Sequence, residues 1–450
     1  MRRRSFLVGA AATGVVLGAG SASAAALPGR GLPDEGVAAR VRFFGVENVD
    51  PRTGGLPADR VVFAWLSNST FAAAVGGRLV YLDTFVTRLE VAPGRTPVVI
   101  ADLVDARPDA ILLGHGHSDH ADNAAYIAAR TGATIYASAE TCASMAADLA
   151  RIKADPVIQA DPRTRVPGDA PLRTVPVTSA GSVPGTEMVR LDVLEPHAQV
   201  VAFRHLHSVA VPPDPDYPPP RTRILVDPRD AQLFPAGVPL TPGEHPLPGQ
   251  LNITTGGSAS AGGPVSLYFH ITLRRGSNFS FGWQNSAGAL KEGKGNGWDG
   301  TPADGQRIRD RLAALPATDL HLATASSANY ANNGLRDLIL YQSVLRPRIF
   351  VPNHLTSGSL TREASSLAVY AGYREQLDLM HVPAADRPEV RWLIDPVDYL
   401  GPLTFDIDDD TWIDASKNRR IRELDRVTPA RPHAFLPTDR TTATAHASCD

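Results

Sequence analysis

The chain of 450 residues is 43% hydrophobic and 20% charged, and its formal net charge is −3. It holds no basic patch of the kind that nucleic acid requires and no apolar run long enough to span a bilayer. We therefore expect a small-molecule substrate, no nucleic-acid partner and no stable membrane anchor, while the oligomeric state stays open.

The amino terminus has the pattern of an export signal. Residues 2–7, RRRSFL, resemble a twin-arginine signal, and a moderately apolar run follows them. Small residues at 22–26 offer cleavage sites. Residues 1–26 are therefore predicted to be a signal peptide, and the mature protein is expected in the periplasm or outside the cell.

Strand and helix patterns alternate at the start of the predicted domain, residues 27–425. Apolar residues near helical spacing at 121–131 predict a helix, and a strand is predicted directly after it at 133–137. The β-α-β order places the loop after residue 113 at the carboxyl edge of a sheet, where α/β proteins bind ligands. Short apolar runs predict the preceding strands at 40–44, 61–66, 78–84 and 110–113.

Four potential metal ligands follow the strand at 110–113, in the sequence His115-Gly116-His117-Ser118-Asp119-His120. Imidazoles and a carboxylate crowded at the end of a buried strand are costly without a partner, whereas a divalent cation satisfies all of them. The alternation of His115, His117 and Asp119 projects three side chains to one side of an extended loop. His120 points elsewhere, so the stretch predicts two adjacent metal sites.

The second part of the chain is predicted to bring further histidines to the same cleft. Runs at 189–194 and 199–206 have the pattern of an antiparallel pair, and the second leads into His205 and His207. A later strand leads into His354. Apolar patterns predict strands at 265–273, 278–283, 320–323 and 348–352, and helices at 305–315 and 335–344.

Two segments do not have the pattern of regular structure. Residues 209–264 hold 13 of the 38 prolines, which excludes regular helix or central strand. Because this segment follows a candidate ligand directly, we predict an insertion that forms a long loop over the site and sets access to it. Residues 426–450 are predicted to be a disordered tail.

The motif at 115–120 resembles the signature of the metallo-β-lactamase-fold hydrolases, and other segments between residues 40 and 405 follow that family's order. The resemblance implies an α/β fold, a four-layer αββα sandwich. It also implies a metal-dependent hydrolase, with zinc as the expected metal and metal-bound hydroxide as the nucleophile.

The same resemblance implies a division of the ligands between two metals. His115 and His117 are expected to bind the first metal, joined by either His205 or His207; His207 fits slightly better because a small residue follows it. Asp119, His120 and His354 are expected to bind the second metal. Asp83, at the end of the 78–84 strand, is expected to orient the metal-binding loop. Catalysis is assigned to His115, His117 and Asp119.

One position departs from the family pattern. Where an acid normally bridges both metals, the turn here is Asn285-Ser286-Ala287-Gly288, and an amide bridges poorly because its nitrogen is a donor. We therefore expect one tight Zn²⁺ and a weaker second ion, unless another acid such as Asp299 substitutes. Mn²⁺ or Fe²⁺ is the alternative metal.

The bond that is cleaved stays open at this stage: an ester, a lactone, an amide or a phosphodiester all suit a metallo-hydrolase. The alternative function is a non-catalytic or degenerate metal-binding protein of the same fold, which Asn285 motivates. His270 and His321 lie in predicted strands and are expected to be packed, hydrogen-bonded residues rather than ligands.

Overall fold

The computed structural model describes residues 31–86, 98–212, 214–221, 263–354, 366–393 and 398–431. The predicted signal peptide lies outside these residues, as do most of the Pro-rich insertion and the chain after residue 431. Within the described ranges, no helix has both the length and the apolar character needed to cross a membrane.

The first sheet is antiparallel at one edge and parallel at the other. Its strands are β1 (Arg60–Ser67), β2 (Thr70–Val75), β3 (Arg78–Leu82), β4 (Ala110–Leu112), β5 (Thr134–Ala137), β6 (Arg173–Pro176) and β16 (Leu403–Asp406). They lie in the order β16-β1-β2-β3-β4-β5-β6. Neighbours from β16 to β3 are antiparallel, whereas those from β3 to β6 are parallel. The parallel half comes from the predicted alternation of strands and helices.

The second sheet is also mixed. Its strands are β7 (Met188–Leu191), β8 (Ala198–Arg204), β9 (Leu267–Leu273), β10 (Ser280–Trp283), β13 (Leu320–Thr324), β14 (Ile349–Asn353), β15 (Glu389–Val390) and β17 (Ala430–Arg431). Their order is β15-β14-β13-β10-β9-β8-β7-β17. The predicted antiparallel pairing of β7 with β8 is confirmed, with Met188 opposite Phe203. A separate hairpin is formed by β11 (Lys294–Gly295) and β12 (Trp298–Asp299).

Helices cover the outer faces of the sheets. Those on the first sheet are α1 (Asp34–Phe44), α2 (Ile100–Asp105), α3 (Ser118–Ala121), α4 (Ala124–Thr131), α5 (Ala139–Ala154) and α6 (Pro156–Ala160). Those in the second half are α7 (Pro302–Ala314), α8 (Ser327–Asn333), α9 (Arg336–Leu345), α10 (Ser366–Leu379) and α11 (Lys417–Val427).

Strand β1 shows how the layers stack. Its alternate residues Val61, Phe63 and Trp65 join the core between the two sheets, where Phe63 meets Phe281 edge to face at 5.0 Å. The intervening side chains of β1 join the core under α1 to α5. A third core lies between the second sheet and its helices. Because both faces of each sheet are buried, the predicted four-layer αββα sandwich is confirmed.

The prediction of a strand at 40–44 is wrong, because these residues end helix α1. Val41 and Phe43 alternate with charged neighbours, which resembles a strand over so short a run. The longer pattern is helical: Ala39 and Phe43, four residues apart, are both buried in the same core. Gly45, with φ of 77°, follows the last residue of the helix.

The ordered fold continues beyond the predicted domain boundary at residue 425. Helix α11 ends at Val427, and β17 pairs with β7 through Ala430. Ile421 and Leu424, on one side of α11, are buried. The start of the predicted tail at residue 426 is therefore too early, because a short amphipathic helix and an edge strand complete the second sheet.

Candidate metal centre

The candidate ligands lie where β4 leaves the first sheet. The turn after β4 depends on Gly114, whose N–H donates to Asp83 Oδ1 at 3.0 Å. A Cβ at Gly114 would stand 2.3 Å from the amide nitrogen of Asn285, so only glycine fits. His117 then precedes α3, whose first turn carries Asp119 and whose last residues include His120. A strand end and a short helix thus place the four ligands around one point.

The first ligand group joins the two sheets. Donor atoms of His115, His117 and His207 all lie within 4.8 Å of one another. Nε2 of His115 and Nδ1 of His117 are 3.1 Å apart, too close for two ring nitrogens that lack a shared proton or cation. The structure thus brings His207, rather than the alternative His205, together with His115 and His117.

The second ligand group shares His115 with the first. Donor atoms of His115, Asp119 and His120 also lie within 4.8 Å of one another. Oδ2 of Asp119 is 3.4 Å from Nε2 of His120 and 3.1 Å from Nε2 of His354. Asp119 is therefore the centre of a set formed with His120 and His354, as the sequence predicted for a second metal.

The acid–base state of the cluster suits cation binding. Burial, together with the neighbouring His120 charge, lowers the pKa of His117 to about 4. Burial and the proximity of His117 lower the pKa of His207 to about 3, and burial puts the pKa of His115 well below its usual value. Neutral imidazoles present free lone pairs to a metal.

Asp119 is ionised in the same surroundings. Burial by itself would raise the pKa of Asp119, but the charge of His120 and the hydrogen bond from His354 hold it well below its usual value. For His120 the signs are reversed: burial by itself would lower its pKa, but the carboxylates of Asp119 and Asp83 raise it above its usual value. The centre thus combines the neutral imidazoles of His115, His117 and His207 with carboxylate charge, a donor set that fits zinc.

Asp83 holds the ligand loop from behind. Its Oδ2 lies 2.8 Å from Nδ1 of His120 and accepts from Ser69 Oγ at 2.7 Å, while its Oδ1 accepts from Gly114. This leaves Nε2 of His120 free to face Asp119. Asp83 is therefore placed next to the ligand loop, and the orienting role expected for it stays a prediction.

Asn285 lies beside Asp83 and does not have the geometry of a bridge between two metals. Its Oδ1 accepts from Nδ1 of His115 at 2.8 Å, and its Nδ2 donates to Oδ2 of Asp83 at 2.8 Å. The side chain is buried. The amide thus links Asp83 to His115, which fixes the ring orientation of that ligand. Asp299, suggested as a substitute acid, is exposed and pairs with Lys294 at 2.9 Å.

The structure separates His205 from the cluster. Its Nδ1 lies 3.1 Å from the hydroxyl of Tyr341, and its ring packs edge-on against Tyr268 on the helix-facing side of the second sheet. It therefore does not line the cleft, contrary to the expectation that both histidines would. The reason is that β8 ends at Arg204, so strand alternation no longer relates His205 to His207.

His270 and His321 are buried in strands, as predicted, but only His270 has the expected hydrogen bonds. Its ring nitrogens lie 3.2 Å from Thr318 Oγ1 and 3.3 Å from Thr272 Oγ1. Neither ring nitrogen of His321 has a hydrogen-bond partner among the described residues. Both rings lie apart from the candidate metal centre.

Sequence reasoning missed the turn between β1 and β2. Asn68 Nδ2 donates to the carbonyl of Asp119 at 2.8 Å, and the carbonyl of Asn68 accepts from the N–H of His354 at 3.0 Å. Asn68, Asp83 and His354 have positive φ values of 42°, 60° and 60°. Strained backbone of this kind persists where surrounding contacts enforce it, often at functional sites. The available signal was a run of four polar residues, at 67–70, between two apolar runs; the structure shows that all four are buried.

The ligands open into a cleft of about 420 Å³. None of the described residues that line it is Lys or Arg. The wall beyond the ligands is mostly neutral and includes Ser208, Val209, Ala210, Asn285, Ser286, Asn296, Thr324, Ser326, Asn329 and Asn332. The described wall can therefore donate and accept hydrogen bonds without adding charge.

Comparison with known proteins finds a short resemblance in sequence. No family model matches the chain. A stretch of 78 residues, 17% of this chain, is 38% identical to a UPF0173 metal-dependent hydrolase of Shouchella clausii. The match spans only 31% of that relative's length.

Three solved structures overlay on most of the chain at low identity. Igni18, a metallo hydrolase from Ignicoccus hospitalis, gives a TM-score of 0.40 at 14% identity, covering 77% of this chain and 98% of its own. The metallo-β-lactamase fold protein YhfI from Bacillus subtilis gives a TM-score of 0.37 at 9% identity, covering 77% of this chain and 100% of its own. Zn²⁺-bound PqqB from Methylobacterium extorquens gives a TM-score of 0.35 at 13% identity, covering 75% of this chain and 86% of its own. The fold assignment rests on the stacked sheets described above.

Proposed function

We propose that this protein is a metal-dependent hydrolase of the metallo-β-lactamase superfamily, with zinc as its metal. The observation that carries the proposal is the pair of adjoining ligand groups, which share His115 and converge on one cleft. Two buried histidines whose pKa values are lowered, His115 and His117, bring Nε2 and Nδ1 to 3.1 Å of each other, an arrangement that suits a shared cation.

We assign His115, His117 and His207 to a first metal, and Asp119, His120 and His354 to a second. Three nitrogen donors with an open fourth position are typical of catalytic zinc. A bound zinc ion lowers the pKa of water and polarises the scissile bond. The second ion should be held less tightly, because Asn285 supplies no charged bridge; Mn²⁺ or Fe²⁺ is the alternative at either position.

The protein's own contribution is orientation. Asp83 and Asn285 fix the rings of His120 and His115 through hydrogen bonds of 2.8 Å. Asn68 holds the backbone at both Asp119 and His354, so the second group is connected across the two sheets. Such outer contacts typically change metal affinity by 10- to 100-fold.

For the substrate, we propose an uncharged ester or lactone ahead of an amide or a phosphodiester. The support is that the described part of the wall is neutral: amides and hydroxyls such as Asn329 and Ser326 suit polar uncharged groups, whereas anion sites in proteins commonly add Arg or Lys. The alternative, a metal-binding protein without catalysis, is favoured by the absence of an acid at position 285.

The test combines metal analysis with turnover. We expect the purified protein to retain one zinc ion after dialysis and to lose a second, and to hydrolyse chromogenic esters or lactones faster than phosphodiesters. His117→Asn should lose the retained zinc and the activity, whereas His381→Asn, on an exposed histidine, should change neither.

Each outcome separates the hypotheses. A parent protein without bound metal would refute the proposal outright. Retained metal without turnover of any substrate in the panel would favour the non-catalytic alternative. Two equally retained ions would show that an acidic side chain elsewhere in the protein bridges them in place of Asn285.

A further inference from the structure

The first part of the Pro-rich insertion is tied to the body of the protein by a buried ion cluster. We define the stem as residues 208–212 and 214–221, which follow His207 directly. We infer that Arg336 is a positioning residue that anchors the stem through Asp214 and so fixes one wall of the metal cleft. The inference rests on the proposed function of that cleft.

Arg336 is at the start of α9, and its side chain is 1% exposed. Nη1 donates to Oδ2 of Asp214 at 2.7 Å, and Nη2 donates to Oε2 of Glu292 at 2.7 Å and to Oδ1 of Asp337 at 2.7 Å. One guanidinium therefore connects two other segments, at Asp214 and Glu292, to its own helix. Its planar fork of donors makes this possible, and a lysine could not replace it.

Lys291 adds a second cation on the outer side of the same cluster. Its Nζ lies 2.7 Å from Oδ1 of Asp214 and 2.6 Å from Oδ2 of Asp216, and it stands over the ring of Tyr217 at 5.3 Å. Both carboxylates of the stem thus have a cationic partner. The stem is held at its middle by charge as well as by packing.

Further contacts fix the two ends of the stem. At the start, the N–H of Ser208 donates to Oγ of Ser286 at 2.8 Å. At the far end, the N–H of Arg221 donates to Oε1 of Glu375 at 2.8 Å. Pro220 packs so closely on Gly334 that a Cβ there would stand 2.1 Å from the proline ring. The stem is therefore fastened at its start, middle and end.

The position of the stem matters because of what lies between these fastenings. Val209 and Ala210 line the metal cleft, and they stand between Ser208 and the Asp214 anchor. Loss of the anchor would release the middle fastening of a segment that begins next to His207. The wall formed by Val209 and Ala210 would then be held at Ser208 on one side and, on the other, only by the outer Lys291–Asp216 pair and the far end of the stem, so substrates and chelators would meet a less defined cleft.

The charge of the cluster supports a directed role rather than general stability. Two cations, Arg336 and Lys291, face four carboxylates, and burial raises the pKa of Asp337 to about 6 despite the neighbouring Arg336. Burying ion pairs of this kind is seldom the best route to stability, and its better-attested use is to specify one arrangement. Here the specified arrangement is that of the stem.

The test variant is Asp214→Asn, which removes the charge of the anchor but leaves Arg336 paired with Glu292 and Asp337. We expect unchanged metal content and a kcat within about twofold of the parent, with a KM that rises on the order of 10-fold, the loss typical of one charge-assisted hydrogen bond. Backbone hydrogen exchange of peptides that cover the stem should accelerate by a similar factor, and release of metal to a chelator should also be faster.

Asp425→Asn is the matched control. Asp425 also accepts from two cationic side chains, in its case Arg190 and Arg274, but it is on α11 and does not line the metal cleft. This variant should leave KM, stem exchange and metal release unchanged. Lys291→Met, which removes only the outer cation, should show the same changes as Asp214→Asn to a smaller extent.

Two results would overturn the inference while the proposed function stands. One is a metal-bound, active Asp214→Asn with the parent's KM and stem exchange. The other is an equal rise in KM for Asp425→Asn, which would indicate general destabilisation. A parent protein that binds no metal would refute the proposed function, and the role of the stem at this site would fail with it.

Discussion

Replacement of Asn285 by aspartate gives the sharpest test of how the metal centre is supported. From the sequence, Asn285→Asp restores a charged bridge and should raise the affinity for the second metal by 10- to 100-fold. The structure predicts the opposite. The new carboxylate would lose the N–H that donates to Asp83 and would stand next to that carboxylate in a buried site.

The magnitude follows from the observed distance. At an effective dielectric constant of about 20, two carboxylates whose oxygens are 2.8 Å apart repel by roughly 6 kcal/mol. Side-chain relaxation reduces this value, so we expect the free energy of unfolding of the metal-free protein to fall by about 2–4 kcal/mol. Because Asp83 orients His120, its displacement should also weaken the second metal rather than strengthen it.

Chemical denaturation of the metal-free protein measures the first effect, and competition with a chelator measures the second. Asn48→Asp is a matched control, since Asn48 is a buried amide that donates to Glu47 Oε1 at 3.3 Å and is remote from the cluster. It should lower stability and leave metal affinity unchanged. An Asn285→Asp protein as stable as its parent, with a more tightly held second metal, would refute our account of this side chain.

Two further predictions concern Asp83 and the buried histidines. Asp83→Asn should weaken the second metal by about 10- to 100-fold in chelator competition, because an amide cannot accept from Gly114, Ser69 and His120 together. For His321, burial lowers the pKa to about 3, so the unfolded chain binds the extra proton as the pH falls below about 6.5 and stability is lost. His321→Phe should therefore reduce the loss of unfolding free energy between pH 8 and pH 5 by about 2 kcal/mol.

Both predictions have a clear contrary outcome. Parent-like metal release from Asp83→Asn would mean that Ser69, whose Oγ also lies 2.7 Å from Nδ1 of His120, is sufficient to orient that ring. The control for the His321 prediction is His381→Phe, which replaces an exposed histidine and should leave the pH dependence of denaturant unfolding unchanged. An unchanged dependence in His321→Phe as well would show that His321 is not buried in its neutral form.

Local sequence was sufficient for the first-sheet ligands. His115, His117, Asp119 and His120 lie within six residues of one another, directly after a buried strand. Strand geometry and the β-α-β order determine where such a loop lies, whatever the rest of the chain does. The alternation of apolar residues similarly predicted most strands, and the resemblance to a family supplied the order of the layers.

Tertiary structure was needed wherever a side chain's role depends on distant partners. His205 and His207 look equivalent along the chain, yet only His207 meets His115 and His117, because β8 has ended and Tyr341 engages the other ring. In the sequence, Asn285 is an amide where a bridging acid is expected. In the fold it is hydrogen-bonded to Asp83, 202 positions earlier, and to the ligand His115, 170 positions earlier.

The stem of the Pro-rich insertion shows the same limit. Its prolines excluded helix and strand, but the sequence could not show that Asp214 would meet Arg336, 122 positions away. Whether a charge is buried and paired depends on surfaces that come together only in the folded protein, since burial sets both the cost of the charge and the strength of its partner. Local sequence therefore determined which ligands are present, and the fold decided which of them converge and what holds them in place.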